Sequence, residues 1–247
     1  QIMRNLLFTI TYDGTNYHGW QIQENALTVQ EVFQNAFKKV TGERGDMKAC
    51  SRTDTGVHAR EFCVSVKTES KIVTERFPAA MNHWLPEDVA VKGCKEAPLD
   101  FHARYSCKGK EYSYEIWNNP IREPFLRGRA LHYWYPIDEV RLKAAAGYYV
   151  GAHDFTSFCT LDKRERGDMV RRVTKARVER RGDMVLFTVA ADGFLYNMVR
   201  IMAGTLLRVQ EGRLLPEDIP GIIEARDRAK AGPTAPACGL YLNRVFY

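Results

Sequence analysis

Several common signatures are missing from the 247-residue sequence, and each absence excludes a class of protein. The six cysteines form no C-x-x-C pair and have no histidine at metal-ligand spacing, which favours reduced thiols over a zinc site. No phosphate-binding Gly-rich loop and no G-x-S-x-G motif occur, so the sequence lacks the usual motifs of nucleotide hydrolysis and of serine catalysis. No apolar run could span a membrane and no signal-peptide pattern opens the sequence. We therefore expect a soluble, metal-free, cytoplasmic protein with no membrane partner.

The composition favours a folded, basic protein. Hydrophobic residues make up 45% of the chain, enough to bury one large core or two of ordinary size, and the net charge is +6. Many of the cations are concentrated in a basic strip between Lys163 and Arg181. A polyphosphate backbone would suit this strip, although a solvated hairpin face is an equally ordinary use of such a pattern.

The first half of the chain has the pattern of a β-α-β-β-α-β domain. Residues 5–12 alternate as a strand does, and Thr28 with Glu31 forms a capping box for a helix that continues to Gly42. The remaining predicted elements are strands at 46–51, 61–67 and 89–96 and a helix at 77–84. This order is typical of ferredoxin-like domains, whose sheets are antiparallel.

The predicted elements of the second half repeat that order. The predicted elements are strands at 130–135, 170–180, 184–192 and 240–247 and helices at 138–150, 195–211 and 220–231. An extra strand at 108–117 joins the halves. We predict an α+β fold of two ferredoxin-like halves, residues 1–105 and 106–247. Their antiparallel sheets are expected to join around a central cleft, with the helices on the outer face.

A short polar loop holds the most promising chemical group. Asp54 lies between two predicted strands, with Arg52 before it and Gly56 and His58 after it. Loops held by rigid strands often carry reactive groups, but Asp-Thr-Gly is also ordinary turn chemistry. We assign no chemistry to His58, and we interpret His153-Asp154 as a structural corner.

Arg200 supplies a second reason to consider Asp54. It lies in the middle of the apolar helix predicted at 195–211, and a buried guanidinium without acceptors would cost roughly several kcal/mol. Asp54 is a candidate partner, and such a pair would keep the carboxylate ionised and nucleophilic. The alternative is that Arg200 extends to the surface.

Tyr112 combines an aromatic ring with neighbouring cations. It lies on the strand predicted at 108–117, and Arg104, Lys108 and Lys110 are close in sequence. This mixture suits stacking on a base beside its phosphate, whereas an edge or core tyrosine is the commoner use.

One family matches these residues. The segment Ser51-Arg52-Thr53-Asp54-Thr55-Gly56-Val57-His58-Ala59 resembles the catalytic motif of the tRNA pseudouridine synthases of the TruA type. Further matching segments run the length of the chain: 12–15, 17–21, 101–104, 110–114, 151–155, 194–200 and 239–242. Thr55, where many relatives have alanine, is a minor departure that leaves the Asp-x-Gly geometry intact.

The resemblance implies a function as well as a family. It implies a cofactor-independent homodimer that isomerises uridine to pseudouridine at positions 38, 39 and 40 of the tRNA anticodon arm. Asp54 matches the catalytic nucleophile, Tyr112 the tyrosine that contacts the target uracil, and Arg200 the arginine paired with the aspartate. Arg52 matches a basic residue that helps to hold the target nucleotide out of the stack.

Two questions stay open at this point. Asp54 could add to C6 of the uracil or act at C1′, since a carboxylate suits either route. A catalytically silent RNA-binding protein of the same fold is the main alternative function, and it could lose Asp54 freely. A carboxylate-based nucleic-acid hydrolase would need paired acids for a metal, and none are evident.

Overall fold

The computed structural model describes residues 2–162 and 167–247. The first four residues of the basic strip, 163–166, therefore lie outside the described residues. The chain divides into two compact units, the first comprising Gln1–Lys108 with Leu242–Tyr247 and the second comprising Gly109–Tyr241. No helix within the described residues is both long and apolar enough to cross a membrane.

The first unit has the predicted β-α-β-β-α-β order. Its strands are β1 (Arg4–Tyr12), β2 (Asp46–Ala49), β3 (His58–Thr68) and β4 (Val89–Ala97), and its helices are α1 (Val29–Thr41) and α2 (Phe77–Trp84). The strands β4, β1 and β3 lie side by side, β2 pairs with β3, and every one of these pairs is antiparallel. The predicted ferredoxin-like arrangement is therefore confirmed for this unit.

Aromatic packing joins the helices of the first unit to its sheet. The ring of Phe8 on β1 makes edge-to-face contacts with Phe33 and Phe37 of α1 and with Phe77 of α2, at centroid distances of 5.4, 6.0 and 5.2 Å. All four side chains are fully buried. Truncating one such ring to alanine typically costs about 3–5 kcal/mol, so this cluster is a main source of stability for the unit.

Local capping explains the ends of α1. The Thr28 hydroxyl accepts the Glu31 N–H at 3.4 Å, and Gly42 follows the helix with a φ of 79°. Glycine adopts this left-handed conformation without strain. The boundaries predicted from Thr28 and Gly42 are confirmed.

The second unit also contains both strands and helices. Its strands are β5 (Gly109–Asn118), β6 (Leu131–Tyr133), β7 (Gly151–Asp154), β8 (Val170–Arg181) and β9 (Met184–Ala191), and β10 (Leu240–Phe246) begins in it. Its helices are α3 (Glu139–Gly147), α4 (Met198–Gln210) and α5 (Ile219–Ala225). The strand order is β5-β9-β8-β7, and neighbouring strands are antiparallel. The mixed α+β class is thus confirmed in both units.

Two details of the prediction for the second unit were wrong. The strand predicted at 130–135 is β6, which has only three residues and lies parallel to β5, whereas β5 pairs with β9 of the hairpin over eight residue pairs. The strand predicted at 108–117 is confirmed as β5, a member of this sheet. The predicted helix at 220–231 ends at Ala225, because Arg226 adopts a left-handed φ of 48°.

Tyr149 joins the core of the second unit to α4. Its ring contacts Phe158 at a centroid distance of 5.3 Å and Phe187 at 6.0 Å, and its hydroxyl donates to the Met202 carbonyl at 3.1 Å. Because the residue is fully buried, this hydrogen bond removes the cost of burying an unpaired hydroxyl. The contact fixes α4 against the sheet that carries β9.

Candidate active site

The Asp54 loop connects β2 to β3 and ends in a tight turn. The Val57 N–H donates to the Asp54 carbonyl at 3.1 Å, and Gly56 has a φ of 80°. A positive φ at the third position is what a type II turn requires, and glycine meets that requirement without strain. The turn is closed by the main chain of Asp54, while its side chain is half-buried.

Hydrogen bonds from residues 12–20 hold the loop on both sides of Asp54. The Trp20 N–H donates to the Thr53 carbonyl at 3.3 Å, and the Gly56 N–H donates to the Tyr17 carbonyl at 3.2 Å. The Tyr12 hydroxyl is 2.8 Å from that of Thr53. The backbone around Asp54 is therefore fixed by the segment that follows β1.

Two glycines permit this close approach. A Cβ atom on Gly14 would lie 1.9 Å from the Val57 carbonyl oxygen, and one on Gly19 would lie 2.2 Å from the Thr53 carbonyl oxygen. Gly19 also has a φ of 75°. Any other residue at these positions would push the Asp54 loop away, which explains why the matching segments at 12–15 and 17–21 contain glycine there.

His58 is a positioning residue beneath the loop. It is 1% exposed, and its Nδ1 accepts the Gly14 N–H at 2.9 Å. An oxygen of Asp13 lies 3.2 Å from the same nitrogen. The Gly14 N–H and the Asp13 carboxylate thus both lie against Nδ1, and they hold the ring in place beneath the loop. That His58 has no chemical role stays a prediction.

Tyr17 extends the support of the loop to the start of β4. Its hydroxyl donates to the Asp88 carboxylate, and the Asp88 carbonyl accepts the Asp13 N–H at 3.0 Å. Burial, followed by the hydrogen bond to Asp88, raises the pKa of Tyr17 well above its usual value. The phenol therefore remains protonated and keeps donating at physiological pH. Nothing in the local sequence of residues 51–58 pointed to Tyr17 or Asp88.

Arg52 and Asp54 differ in exposure. Arg52 is exposed, two residues before the half-buried Asp54. The loop thus presents the Arg52 cation to solvent, close in sequence to the Asp54 carboxylate. The main chain that carries both residues is held by the hydrogen bonds described above. Both side chains belong to the first unit.

Tyr112 lies in the second unit, on β5. It is 8% exposed and is paired with Val189 of β9 in the strand register. Its ring meets Phe194 edge to face, at a centroid distance of 5.0 Å and an interplanar angle of 82°. Phe194 belongs to the matching segment at 194–200, so β5 meets the segment that precedes α4 at Tyr112.

Arg200 is placed differently from the expectation. It is the third residue of α4, in the first turn rather than the middle, and it is half-buried rather than buried. The helix begins late because Asn197 adopts a left-handed φ of 62°, so residues 195–197 are not helical. The prediction of a largely buried helix is confirmed, since most residues of α4 are buried.

Hydrogen bonds to the neighbouring backbone and to Asn197 hold the Arg200 side chain. Its Nε donates to the Ala235 carbonyl at 2.7 Å, and one terminal nitrogen donates to the Asn197 side-chain oxygen at 3.4 Å. A cation in the first turn of a helix is unfavourable next to the positive end of the helix dipole. A nearby anion would offset that cost. Pairing with Asp54, which belongs to the other unit, stays a prediction.

The described part of the basic strip is partly neutralised. Lys175 pairs with Glu111, and Arg180 pairs with Glu139 at 3.3 Å. Among the described residues, Arg172 and Arg177 of β8 are exposed and form no ion pair. These two arginines remain the best-placed described cations of the strip for an anionic partner.

Comparison with known proteins identifies the class to which this fold and loop belong. A family model described as tRNA pseudouridine synthase matches residues 9–106 and 145–247. The matched residues include the Asp54 loop, its supporting segment from Thr9 onward, Tyr149 and all of α4. The chain belongs to the tRNA pseudouridine synthase family, whose members are isomerases.

Individual relatives narrow the assignment within the family. The chain is similar to tRNA pseudouridine synthase A of Caldicellulosiruptor saccharolyticus, with 48% identity over 245 residues, 99% of this chain and 100% of that protein. It is similar to the protein of the same name from Ruminiclostridium cellulolyticum, with 48% identity over 246 residues and the same coverage of both chains. A solved chain from a Cbf5-Nop10-Gar1 complex is 14% identical and covers 96% of this chain and 57% of that chain, with a TM-score of 0.36, too low to add to the assignment.

Proposed function

We propose that the protein converts uridine to pseudouridine at positions 38, 39 and 40 in the anticodon stem-loop of tRNA, with Asp54 as the nucleophile. The observation that carries the proposal is the rigid placement of Asp54 by the matching segment at 17–21. Backbone hydrogen bonds reach the residues on either side of it, at Thr53 and Gly56. Such preorganisation is what a reacting group needs.

The reaction rearranges bonds within one nucleotide. The N1–C1′ bond breaks, the uracil turns while it is held, and a C5–C1′ bond forms. The C5 proton is then lost to solvent and N1 gains a proton, so no atoms or electrons are gained overall. An ionised Asp54 can begin this sequence by adding to C6 or by acting at C1′. Neither route requires a cofactor.

The other predicted residues complete the site. The target nucleotide must leave the stacked arm, at a cost of a few kcal/mol, and Arg52 is exposed beside Asp54 where it can hold the extruded nucleotide. Tyr112 is proposed to contact the uracil, in a ring position fixed by Phe194. Arg200 is proposed as the counter-ion that keeps Asp54 ionised.

We also propose that the protein is a homodimer. Large apolar side chains are exposed in the segment between β5 and α3: Ile121 (75%), Phe125 (85%), Trp134 (60%) and Tyr135 (72%). Exposed apolar side chains in such a group mark a surface that another protein covers. A second copy of this chain is the proposed occupant.

The experiment for the proposed function measures the release of hydrogen from C5 of the target uridines. Purified protein in EDTA is incubated with a tRNA transcript whose uridines carry tritium at C5, and released tritium is counted. We expect release, because the C5 proton must leave. Matched transcripts in which uridines 38, 39 and 40 are replaced by cytidine should release none. Release that persists in these transcripts would show that other uridines are modified.

A further inference from the structure

A pocket lined by basic and aromatic side chains lies on the helix side of the first unit, apart from the residues of the Asp54 loop. It has a volume of about 840 Å³. Its chemically distinctive lining residues are Lys39, Lys71, Arg76, His83 and Trp84. We call it the α1–α2 pocket.

The pocket is a preformed feature of the fold. Lys39 lies in the last turn of α1, and Trp84 is the last residue of α2. Phe37 and Phe77 stack beneath them at a centroid distance of 6.2 Å and an interplanar angle of 7°, which fixes the two helices. The pocket walls therefore do not depend on a ligand for their position.

Arg4 holds the chain segment that forms the remaining wall. One terminal nitrogen of its guanidinium donates to the Ser70 carbonyl at 2.6 Å and to the Ile72 carbonyl at 2.8 Å, and the same side chain pairs with Glu96. The backbone on both sides of Lys71 is thus held in place by Arg4. Its own side chain is exposed.

The aromatic group in the pocket is unusually accessible. Trp84 is 51% exposed, and Lys39 Nζ lies 5.4 Å from its ring centroid. The His83 ring meets it edge to face at 5.0 Å. A half-exposed indole beside cations is suited to stacking on an unpaired nucleic-acid base while the cations contact the flanking phosphates.

The cations of the pocket are available to an anion. Among the described residues, Lys39, Lys71 and Arg76 have no carboxylate within ion-pair distance, and no Asp or Glu lines the pocket. Other cations of the same unit are paired, as in Lys48 with Asp46 at 3.0 Å. The charge of the pocket is therefore complementary to a polyanion rather than to a neutral or basic partner.

We propose that the α1–α2 pocket is a second RNA-binding surface, which takes an unpaired base and its flanking phosphates from the substrate RNA. Trp84 stacks on the base, and Lys39, Lys71 and Arg76 contact the phosphates. The inference rests on the proposed function for the identity of the RNA as tRNA. It adds a binding surface that the chemistry at Asp54 does not need.

The test measures tRNA affinity of the full-length protein as a function of salt concentration. Trp84→Ala should weaken binding about tenfold, the loss expected for one base–aromatic stack, whereas Trp84→Phe should stay within about twofold of the wild type. Lys39→Ala should lower the slope of log affinity against log salt by roughly 0.7–0.9. Lys38→Ala is the matched control, since Lys38 is an exposed neighbour on α1 that does not line the pocket.

The outcomes separate this inference from the proposed function. Unchanged affinity in Trp84→Ala and in a Lys71→Ala/Arg76→Ala double variant would overturn the inference, and both changes are at exposed positions that should leave folding intact. Equal effects of Lys38→Ala and Lys39→Ala would also overturn it. Wild-type protein that binds tRNA but releases no tritium would contradict the proposed function. The tRNA affinities of the pocket variants would still show whether the pocket binds RNA.

Discussion

At the scale of single residues, Asp54 is positioned by hydrogen bonds between its neighbours and residues that are distant in sequence. The carbonyl of Thr53 and the N–H of Gly56 are bonded to Trp20 and Tyr17, which are more than thirty residues earlier in the chain. Gly19 lets these backbones meet. The positioning of Asp54 therefore depends on the main chain, and we expect it to be sensitive to small steric changes.

The first prediction concerns Gly19→Ala. The added Cβ would lie 2.2 Å from the Thr53 carbonyl oxygen in a backbone with a φ of 75°, so the Asp54 loop must shift. We expect the steric clash to lower the unfolding free energy by about 1–3 kcal/mol, in addition to the cost of placing alanine in a left-handed conformation. The tritium-release rate should fall as well. Chemical denaturation and the release assay measure the two effects.

Gly42→Ala is the matched control for that prediction. Gly42 has a φ of 79°, nearly the same as Gly19, but an added Cβ would meet no atom within 4 Å. It should lose only about 1–2 kcal/mol from left-handed strain and keep its activity. If the two variants behave alike, close approach at Gly19 is not what positions Asp54.

Only part of this residue-scale arrangement could be predicted from sequence. The Asp-Thr-Gly turn follows from local chemistry, because Gly56 supplies the positive φ that the turn requires. The roles of Gly14, Gly19 and Tyr17 could not be derived locally, since they depend on contacts between distant segments. The family resemblance marked these segments without giving the physical reason.

At the scale of elements, the start of α4 determines where Arg200 points. Asn197 interrupts the helical pattern with a left-handed φ, so the helix starts at Met198 and Arg200 falls in its first turn. Apolar periodicity alone extended the helix to residue 195, because Leu195 continues the buried stripe without being helical. Backbone strain at a single asparagine was not visible in that pattern.

The second prediction concerns Arg200→Met. The substitution removes the hydrogen bonds to Ala235 and Asn197 and the proposed counter-ion of Asp54. We expect a loss of about 1–2 kcal/mol of unfolding free energy and a larger fall in the tritium-release rate, with partial rescue of the rate by Arg200→Lys. Thermal unfolding and single-turnover kinetics provide the two measurements.

Arg208→Met supplies the comparison on the same helix. Arg208 is also half-buried, and it pairs with Glu211 at 2.9 Å near the end of α4. It should lose little stability and no activity. A rate loss in Arg208→Met equal to that in Arg200→Met would indicate that the helix as a whole, rather than the Arg200 charge, supports the reaction.

Strand pairing was harder to predict than helix ends. The caps of α1 are local, and the boundaries at Thr28 and Gly42 agree with the structure. The partner of β9 is decided by hydrogen bonds over a long sequence separation, and β5 rather than β6 forms them. A strand of three residues, such as β6, can form too few backbone hydrogen bonds to replace β5 as the partner of β9.

At the scale of the whole molecule, the proposed chemistry draws on both units. Asp54 and Arg52 belong to the first unit, and Tyr112 and Arg200 belong to the second. The family match spans parts of both, at residues 9–106 and 145–247. The exposed apolar segment between β5 and α3 lies outside those matched ranges.

The third prediction concerns the homodimer. Phe125 is 85% exposed, and Phe125→Asp places a charge in the proposed dimer surface. We expect light scattering to give the mass of two chains for the wild type and of one chain for the variant. Leu99→Asp, at a 55% exposed apolar position in the first unit, is the control and should remain a dimer. A wild-type protein with the mass of one chain would refute the proposal.

The most direct test of the central claim is tritium release by Asp54→Asn. The substitution preserves size and removes only the charge of the proposed nucleophile. Thr55→Ala, a change at the adjacent exposed residue, is the control for damage to the loop. We predict that Asp54→Asn folds, binds tRNA and releases no tritium from C5, while Thr55→Ala stays active. Full release by Asp54→Asn would contradict the account.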